Sequence, residues 1–346
     1  MQTSNYMANS RPLHYHLQSS QVNELSDREL VTDVASLLNQ LWSLPASKRY
    51  VPCPNPRSLE RENLGLLRSQ PYWVSEKLDG VRMFLLFGFY ESTTDGETEY
   101  AVFLDRSYRV HLVPVDAPDA VFQGTLLDGE LQQQENGTYV YTVFDVYVYE
   151  GTALRHLPFE HRRATYETFV KSHLSPTQPG LTFVCKQWHD LSMCEVIWRQ
   201  YQDVADGLIF QPRRGAPVQH GIQADVFKWK PAEHQTLDFY VTLLQNTATP
   251  TELAVLLECG DGPAIVPASH FNCSFVGKAD VSQKRTVVEC KLVAVDTRLG
   301  AAAPEFKFKA VKTRPDKSYA NDARVVQSTL RAFLENITIY DLCGLL

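Results

Sequence analysis

Two apolar runs of strand length, Tyr72-Trp73-Val74 and Met83-Phe84-Leu85-Leu86-Phe87, flank a polar step, Ser75-Glu76-Lys77-Leu78-Asp79-Gly80-Val81-Arg82. The pattern predicts strands over 72–77 and 81–90. Further apolar or alternating runs predict strands over 99–105, 109–113, 124–132 and 138–148, with turns at 91–97 and at Glu135-Asn136-Gly137. Upstream, Ser26-Asp27-Arg28-Glu29 has capping-box spacing. Leu30, Val34, Leu37, Leu38 and Leu41 then share a helical face, so a helix is expected to about Trp42. Residues 1–20 are polar and aperiodic, the composition of a disordered tail, and Pro52-Cys53-Pro54-Asn55-Pro56 reads as loop.

Beyond residue 150 the period lengthens. Pro158 opens a helix to about residue 174, with Phe159, Tyr166, Phe169, Val170 and Leu174 inward. Phe183-Val184-Cys185 reads as a short buried strand, and Asp190 is placed to cap a helix carrying Met193, Val196, Ile197 and Tyr201. Strands follow at 207–210 and 226–230. At Pro231 the texture changes to short alternating strands over 236–315, with Gly- and Pro-bearing turns, which suits a small β-barrel such as an OB-fold. A last helix from Asn321 aligns Val326, Leu330, Phe333 and Ile337. The expectation is an α+β chain: a first domain over 21–235, a barrel over 236–321, and a helix over 322–346 packing back onto the first domain.

Composition narrows the class. A chain of 346 residues, 44% hydrophobic and 21% charged, has room for two domains and a substantial core. The net charge of -7 argues against a protein that coats nucleic acid by global charge, so such a substrate would need a local basic groove. Seven cysteines are scattered without a CxxC pair, which suits reduced, buried thiols in an intracellular protein and not a zinc site. No apolar run is long enough to span a bilayer and the N-terminus lacks a signal-peptide core, so no membrane partner is expected.

Chemistry enters at Lys77. A lysine between apolar strands is costly, and its deprotonated amine is a nucleophile. Gly80 would admit a phosphate or a second backbone closely, and Arg82 could hold phosphate oxygens. The plain alternative is a hairpin with solvated charges. Downstream, Leu127-Asp128-Gly129-Glu130-Leu131 presents Glu130 to a ribose or a metal-bound water, or is a turn aspartate with a solvated glutamate. Phe144 is a core ring or a platform for a purine. Asp206, just before Gly207-Leu208-Ile209-Phe210, is a turn residue or a ligand for a hard divalent cation. Lys228 and Lys230 alternate on a strand, guarding an edge or facing a phosphate. Arg314-Pro315-Asp316-Lys317 is a charged cap or a grip for pyrophosphate.

The fixed order of these segments, from about Tyr72 to Asn321, resembles the covalent nucleotidyltransferases, the group of messenger-RNA capping guanylyltransferases, DNA ligases and RNA ligases. Asp-Gly-Leu-Ile-Phe at 206–210, Lys-Trp-Lys-Pro at 228–231 and Arg-x-Asp-Lys followed by Asn at 314–321 are similar to the capping branch. Ala320 departs from the proline usual there. The resemblance implies an ATP-grasp-like antiparallel nucleotidyltransferase domain followed by an OB-fold. It implies that Lys77 forms a phosphoamide with GMP, and that Asp79, Gly80, Arg82 and Arg106 bind phosphate or ribose. Glu130 would hold ribose or metal, Phe144 would stack on guanine, and Lys186 would read the guanine carbonyl. Asp206 would serve metal and phosphate, and Lys228 and Lys230 the α-phosphate, their charge helping Lys77 give up its proton. Arg314, Asp316 and Lys317 would close over the β- and γ-phosphates.

The implied substrate is GTP with Mg²⁺ or Mn²⁺. The implied acceptor is 5′-diphosphate RNA, with an RNA triphosphatase and the phosphorylated tail of RNA polymerase II as partners. The implied compartment is the nucleus, or the cytoplasm for a viral enzyme. Two rival functions are an ATP-dependent DNA or RNA ligase, which would form an AMP adduct, and a non-catalytic RNA-binding scaffold, which would form none.

Overall fold

The computed structural model describes residues 23–24, 28–45, 51–92, 96–245, 253–261, 264–276, 285–296, 304–315, 317 and 319–344. The expected disordered tail and the capping box at residues 26–29 lie largely outside them. The chain divides into two units, one of residues up to Arg57 with Gly65–Lys228, the other of Ser58–Leu64 with Trp229–Leu345. Both are mixed α/β and mostly sheet.

In the first unit, alternation along one strand explains the layering. Helix α1 (Arg28–Trp42) precedes β1 (Pro54–Ser58), β2 (Tyr72–Lys77), β3 (Val81–Ser92), β4 (Gly96–Asp105), β5 (Val110–Leu112), β6 (Thr125–Gln133) and β7 (Tyr139–Tyr149). Then come α2 (Phe159–Ser172), β8 (Leu181–Cys185), α3 (Cys194–Tyr201), β9 (Gly207–Pro212) and β10 (Gly221–Trp229). The large sheet runs β5, β4, β3, β6, β7 in antiparallel order, and β8 joins β7 in parallel. Along β3, Met83, Leu85 and Phe87 enter a core shared with Phe159, Tyr166 and Phe169 of α2. Phe84 and Leu86 enter another, shared with Leu30, Val34, Leu38 and Trp42 of α1. The sheet is therefore covered on both faces, which is why β3 reads as a continuous apolar run. A second sheet runs β2, β9, β10, β1.

Three expectations for the first unit are corrected. Residues 54–58 form a strand, not a loop: β1 lies at the outer edge of its sheet, where Pro54 and Pro56 withhold no needed N–H. Asp190 does not cap a helix with its side chain; a 3₁₀ turn over Leu191–Met193 intervenes, and Asp190 pairs with Arg213. That extra turn shifts the phase of α3, so Cys194, Ile197 and Trp198 are buried while Met193 and Val196 face solvent.

The second unit carries one six-stranded sheet. Its strands are β11 (Thr236–Gln245), β12 (Leu253–Asp261), β13 (Ala264–Pro267), β14 (Cys273–Phe275), β15 (Thr286–Asp296) and β16 (Glu305–Thr313), in the order β13, β12, β11, β15, β16, β14. Helix α4 (Ala323–Glu335) is capped by Asp322, whose carboxylate accepts from Arg324 N at 3.0 Å. It sends Ala323, Val326 and Leu330 into a core with Phe239, Cys290 and Phe308. The helix expected to pack back onto the first domain thus belongs to the second unit. A short α5 (Ile339–Cys343) follows, and the Trp229 indole donates to Ile337 O at 2.7 Å. None of the seven cysteines is in a disulfide, and six of them are buried. Among the described residues no helix is long and apolar enough to cross a membrane.

Gly129 shows how tightly the large sheet is packed. A Cβ there would lie 2.5 Å from Tyr141 Cζ and 2.7 Å from Thr142 O. Gly129→Ala is therefore expected to lose about 1–3 kcal/mol, read as a lower urea midpoint at unchanged m-value.

Candidate functional site

The second sheet brings the first pair together. Strands β2 and β9 run antiparallel with Lys77 opposite Gly207, and Asp206 N donates to Lys77 O at 2.9 Å. This register sets Lys77 Nζ 2.8 Å from Asp206 Oδ2, with the two side chains 25% and 27% exposed. Val74 and Ser75, earlier on β2, are fully buried, so the strand leads its terminal lysine out of the core to an accessible end. Asp79 and Gly80 follow in an exposed loop. A Cβ on Gly80 would sit 2.6 Å from Leu131 O, so the residue's freedom is used for close approach to β6, whose Gln132 amide also donates to Asp79 O at 3.2 Å.

Arg82 is held from several sides. Its guanidinium pairs with both oxygens of the fully buried Asp128, and its Nη1 lies 3.3 Å from Asn55 Oδ1. Tyr147 donates its hydroxyl to the same carboxylate at 2.5 Å. Burial works against the arginine charge, but Asp128 offsets it and holds the group protonated. The guanidinium also lies 5.5 Å from the ring centres of Phe84 and Phe144.

Two register shifts between β6 and β7 shape this neighbourhood. Asp128 opposes Asp145 while Gly129 opposes Val143, leaving Phe144 as the extra residue. Leu126 opposes Val148 while Leu127 opposes Val146, leaving Tyr147 as the second. Bulges re-aim side chains. Here both extra residues meet one ion pair: the Phe144 ring meets Arg82 and the Tyr147 hydroxyl meets Asp128.

Glu130 stands opposite Arg82 on β6. Burial raises its pKa, against the pull of Lys77, Arg82, Arg106 and Lys186, so four cations surround one carboxyl. Lys186 is buried, with Nζ 2.6 Å from Glu76 O and 3.2 Å from Glu76 Oε1, and Ser75 Oγ donates to Glu76 Oε2 at 2.7 Å. Burial lowers the lysine's pKa and Glu76 opposes that shift. Arg106 is exposed on the turn after β4, a turn fixed by Asp105, which accepts from Ser107 N at 2.8 Å and Arg109 N at 2.9 Å. Lys228 is half-buried near the end of β10, the strand beside β9.

Lys230, Arg314 and Lys317 belong to the second unit, and Asp316 lies outside the described residues. There Arg314 Nη1 lies 3.4 Å from Asp238 Oδ1 and 3.3 Å from Glu289 Oε2, and Lys317 pairs with the other oxygen of Asp238.

Residues 18–232 match the family described as the mRNA capping enzyme, catalytic domain. The chain belongs to this family. It is 27% identical over 210 residues to the mRNA-capping enzyme of Danio rerio, covering 54% of this chain and 34% of the fish protein. It is 25% identical over 328 residues to that of Caenorhabditis elegans, covering 84% of this chain and 48% of the worm protein. The chain thus spans half or less of these two relatives. Against the mRNA-capping enzyme subunit alpha of Schizosaccharomyces pombe it is 25% identical over 358 residues, 91% of this chain and 83% of the other. A solved mycobacterial DNA ligase D complexed with ATP and MES is similar at TM-score 0.40 and 14% identity, over 77% of this chain and 94% of that one.

Within the family's region the structure gathers Lys77, Asp206, Glu130, Arg82 and Lys186. Sequence reasoning missed the groups that hold them. Asp128 reads as a turn aspartate, and Glu76 and Tyr147 carry no reading of their own in the sequence. Their signal was present but faint: polar residues inside runs otherwise buried on both faces.

Removing a partner exposes the cost of the buried charge. Asp128→Asn is expected to destabilise the protein by about 3–5 kcal/mol, and Tyr147→Phe by about 1.5–3 kcal/mol, both measured by chemical denaturation. Glu130→Gln tests the other sign. In acid both folded and unfolded Glu130 are protonated and the variant gains nothing. As pH rises past the ordinary carboxyl value of 4.5, the unfolded chain releases its proton first and the wild type loses stability. The melting temperature of Glu130→Gln relative to wild type is therefore expected to climb between acid and neutral pH.

Proposed function

We propose that this chain is an mRNA guanylyltransferase, which moves GMP from GTP onto the 5′-diphosphate end of RNA through a covalent lysine intermediate. The observation that carries the reading is Lys77 held 2.8 Å from Asp206 at an accessible strand end, inside the region matching the capping-enzyme catalytic domain. The six-stranded sheet of the second unit is read as the OB-fold that follows this domain in the family resemblance.

In the first step the deprotonated Lys77 amine attacks the α-phosphorus of GTP. The bond from that phosphorus to its bridging oxygen breaks and pyrophosphate leaves. In the second, a terminal phosphate oxygen of the RNA attacks the same phosphorus, the phosphorus–nitrogen bond breaks, and the amine is restored. Asp206 fixes the direction of the amine before GTP arrives. Phe144, placed on a bulge and backed by Arg82, offers a ring face to guanine. Lys186, held by Glu76, donates toward the guanine carbonyl. Arg106 with the loop of Asp79 and Gly80 attends phosphate and ribose, and Lys228 and Lys230 attend the α-phosphate. The family motif assigns Arg314 and Lys317 to the β- and γ-phosphates.

A divalent cation fits the donors present. Among the described residues no cluster of three or more His, Cys, Asp or Glu forms a protein cage. Two carboxylates beside Lys77, those of Asp206 and Glu130, suit an ion that takes its remaining ligands from phosphate and water. Such an ion would offset charge developing on the phosphates.

The test incubates the protein with α-labelled GTP and, in parallel, α-labelled ATP. The expected result is a label that stays with the protein from GTP alone, and its complete loss in Lys77→Arg, because a guanidinium keeps its proton. An adduct from ATP instead would make the chain a ligase. Labelling of Lys77→Arg would remove the lysine from its role.

A further inference from the structure

The hairpin of β15 and β16 is basic in a protein whose net charge is -7: residues 286–313 hold five Lys and Arg against three Asp and Glu. Its inward positions, Cys290, Leu292 and Phe308, fill the second unit's core, so strand alternation turns Lys291 and Lys309 outward. The register sets these two lysines directly opposite each other. Both are exposed, and among the described residues neither has a carboxylate partner. Directly opposed like charges cost stability, so the sequence tolerates a penalty here.

Two ordinary explanations fall short. Edge protection accounts for Lys309, because β14 covers β16 only as far as Phe308. It does not account for Lys291, which lies on an interior strand between β16 and β11, where its neighbour is Thr236. Internal neutralisation accounts for other cations of the hairpin: Lys307 lies 3.6 Å from Asp296, and Lys312 lies 3.5 Å from Glu289. The surplus charge is concentrated at Lys291 and Lys309, flanked by Val293 and Val311 at 48% and 55% exposure.

We propose that this outward face, centred on Lys291 and Lys309, binds the phosphodiester backbone of the single-stranded RNA acceptor. The identity of the RNA as acceptor rests on the guanylyltransferase reading. Two close ammonium groups neutralise phosphates as point charges without reading sequence, and the valines beside them offer apolar surface to riboses. That chemistry suits a substrate recognised for being RNA and not for its bases.

The test uses the full chain and the double variant Lys291→Glu/Lys309→Glu, with Lys291→Gln/Lys309→Gln as a milder pair. RNA binding is measured directly, without nucleotide, on a labelled single strand long enough to cover a site of about 16 nucleotides. At ~0.15 M salt the charge-reversed protein is expected to bind about tenfold more weakly, and its slope of log affinity against log salt to flatten by about 1.4, as for two lost phosphate contacts. Lysine–GMP formation from GTP alone is expected unchanged. Lys291→Glu by itself faces Lys309 with the opposite charge, so its melting temperature is expected at or above that of wild type.

Unchanged RNA affinity and salt slope in both double variants would overturn the proposal, as would RNA binding retained while an acidic peptide loses its hold. Because binding is read without GTP, either result stands apart from failure of the guanylyltransferase reading, which a missing GMP adduct in the wild type reports.

Discussion

The contact between the Lys77 amine and the Asp206 carboxylate depends on a register, and the register depends on nearly everything else in the first unit. Lys77 opposes Gly207 because β2 and β9 pair over their whole length, from Tyr72 with Pro212 onward. A slip of one residue would turn every side chain of β2 to the other face, exchanging the enclosed places of Val74 and Ser75 and taking Lys77 out of register with Gly207. Burial of the strand body is thus what delivers one polar group to an open strand end. On β3 and β6 the polar groups Arg82 and Glu130 stay largely buried instead, each beside charge of the opposite sign.

Charge around this end is layered. The buried arginine is matched by a buried carboxylate with a tyrosine hydroxyl, and Lys186 is matched by Glu76. At Glu130 burial is the strongest influence, with several cations leaning the other way. Buried charges of this kind are expensive to assemble and contribute little net stability against an apolar alternative. They are more economically explained as preorganisation, which holds groups in place before a triphosphate arrives. In the second unit Asp238 plays a similar part, gripping Arg314 and Lys317 together.

Much of the fold was legible because its signals are local. The strand at 72–77, the hairpin at Gly137 and the inner face of α2 follow from alternation, turn chemistry and helical period, and the structure reproduces them. What was not legible depends on partners distant in sequence. Prolines hid an edge strand at 54–58, a 3₁₀ turn moved the buried face of α3, and core contacts decided which unit claims α4. The site divides along the same line. Lys77, Glu130 and Asp206 stood out as polar residues meeting apolar runs. Asp128 did not, because a buried aspartate and a turn aspartate look alike until Arg82 appears beside one of them. The bulges that free Phe144 and Tyr147 are invisible in the sequence, since they exist only as mismatches between two strands.

The central claim is that one particular amine carries the nucleotide. Its most direct test is peptide mapping by mass spectrometry after incubation with GTP, followed by brief acid treatment to cleave a phosphorus–nitrogen bond. The account predicts an acid-labile GMP on the peptide containing Lys77 and on no other. A GMP found on Lys186, Lys228 or Lys230 instead, or none on any lysine, would contradict it.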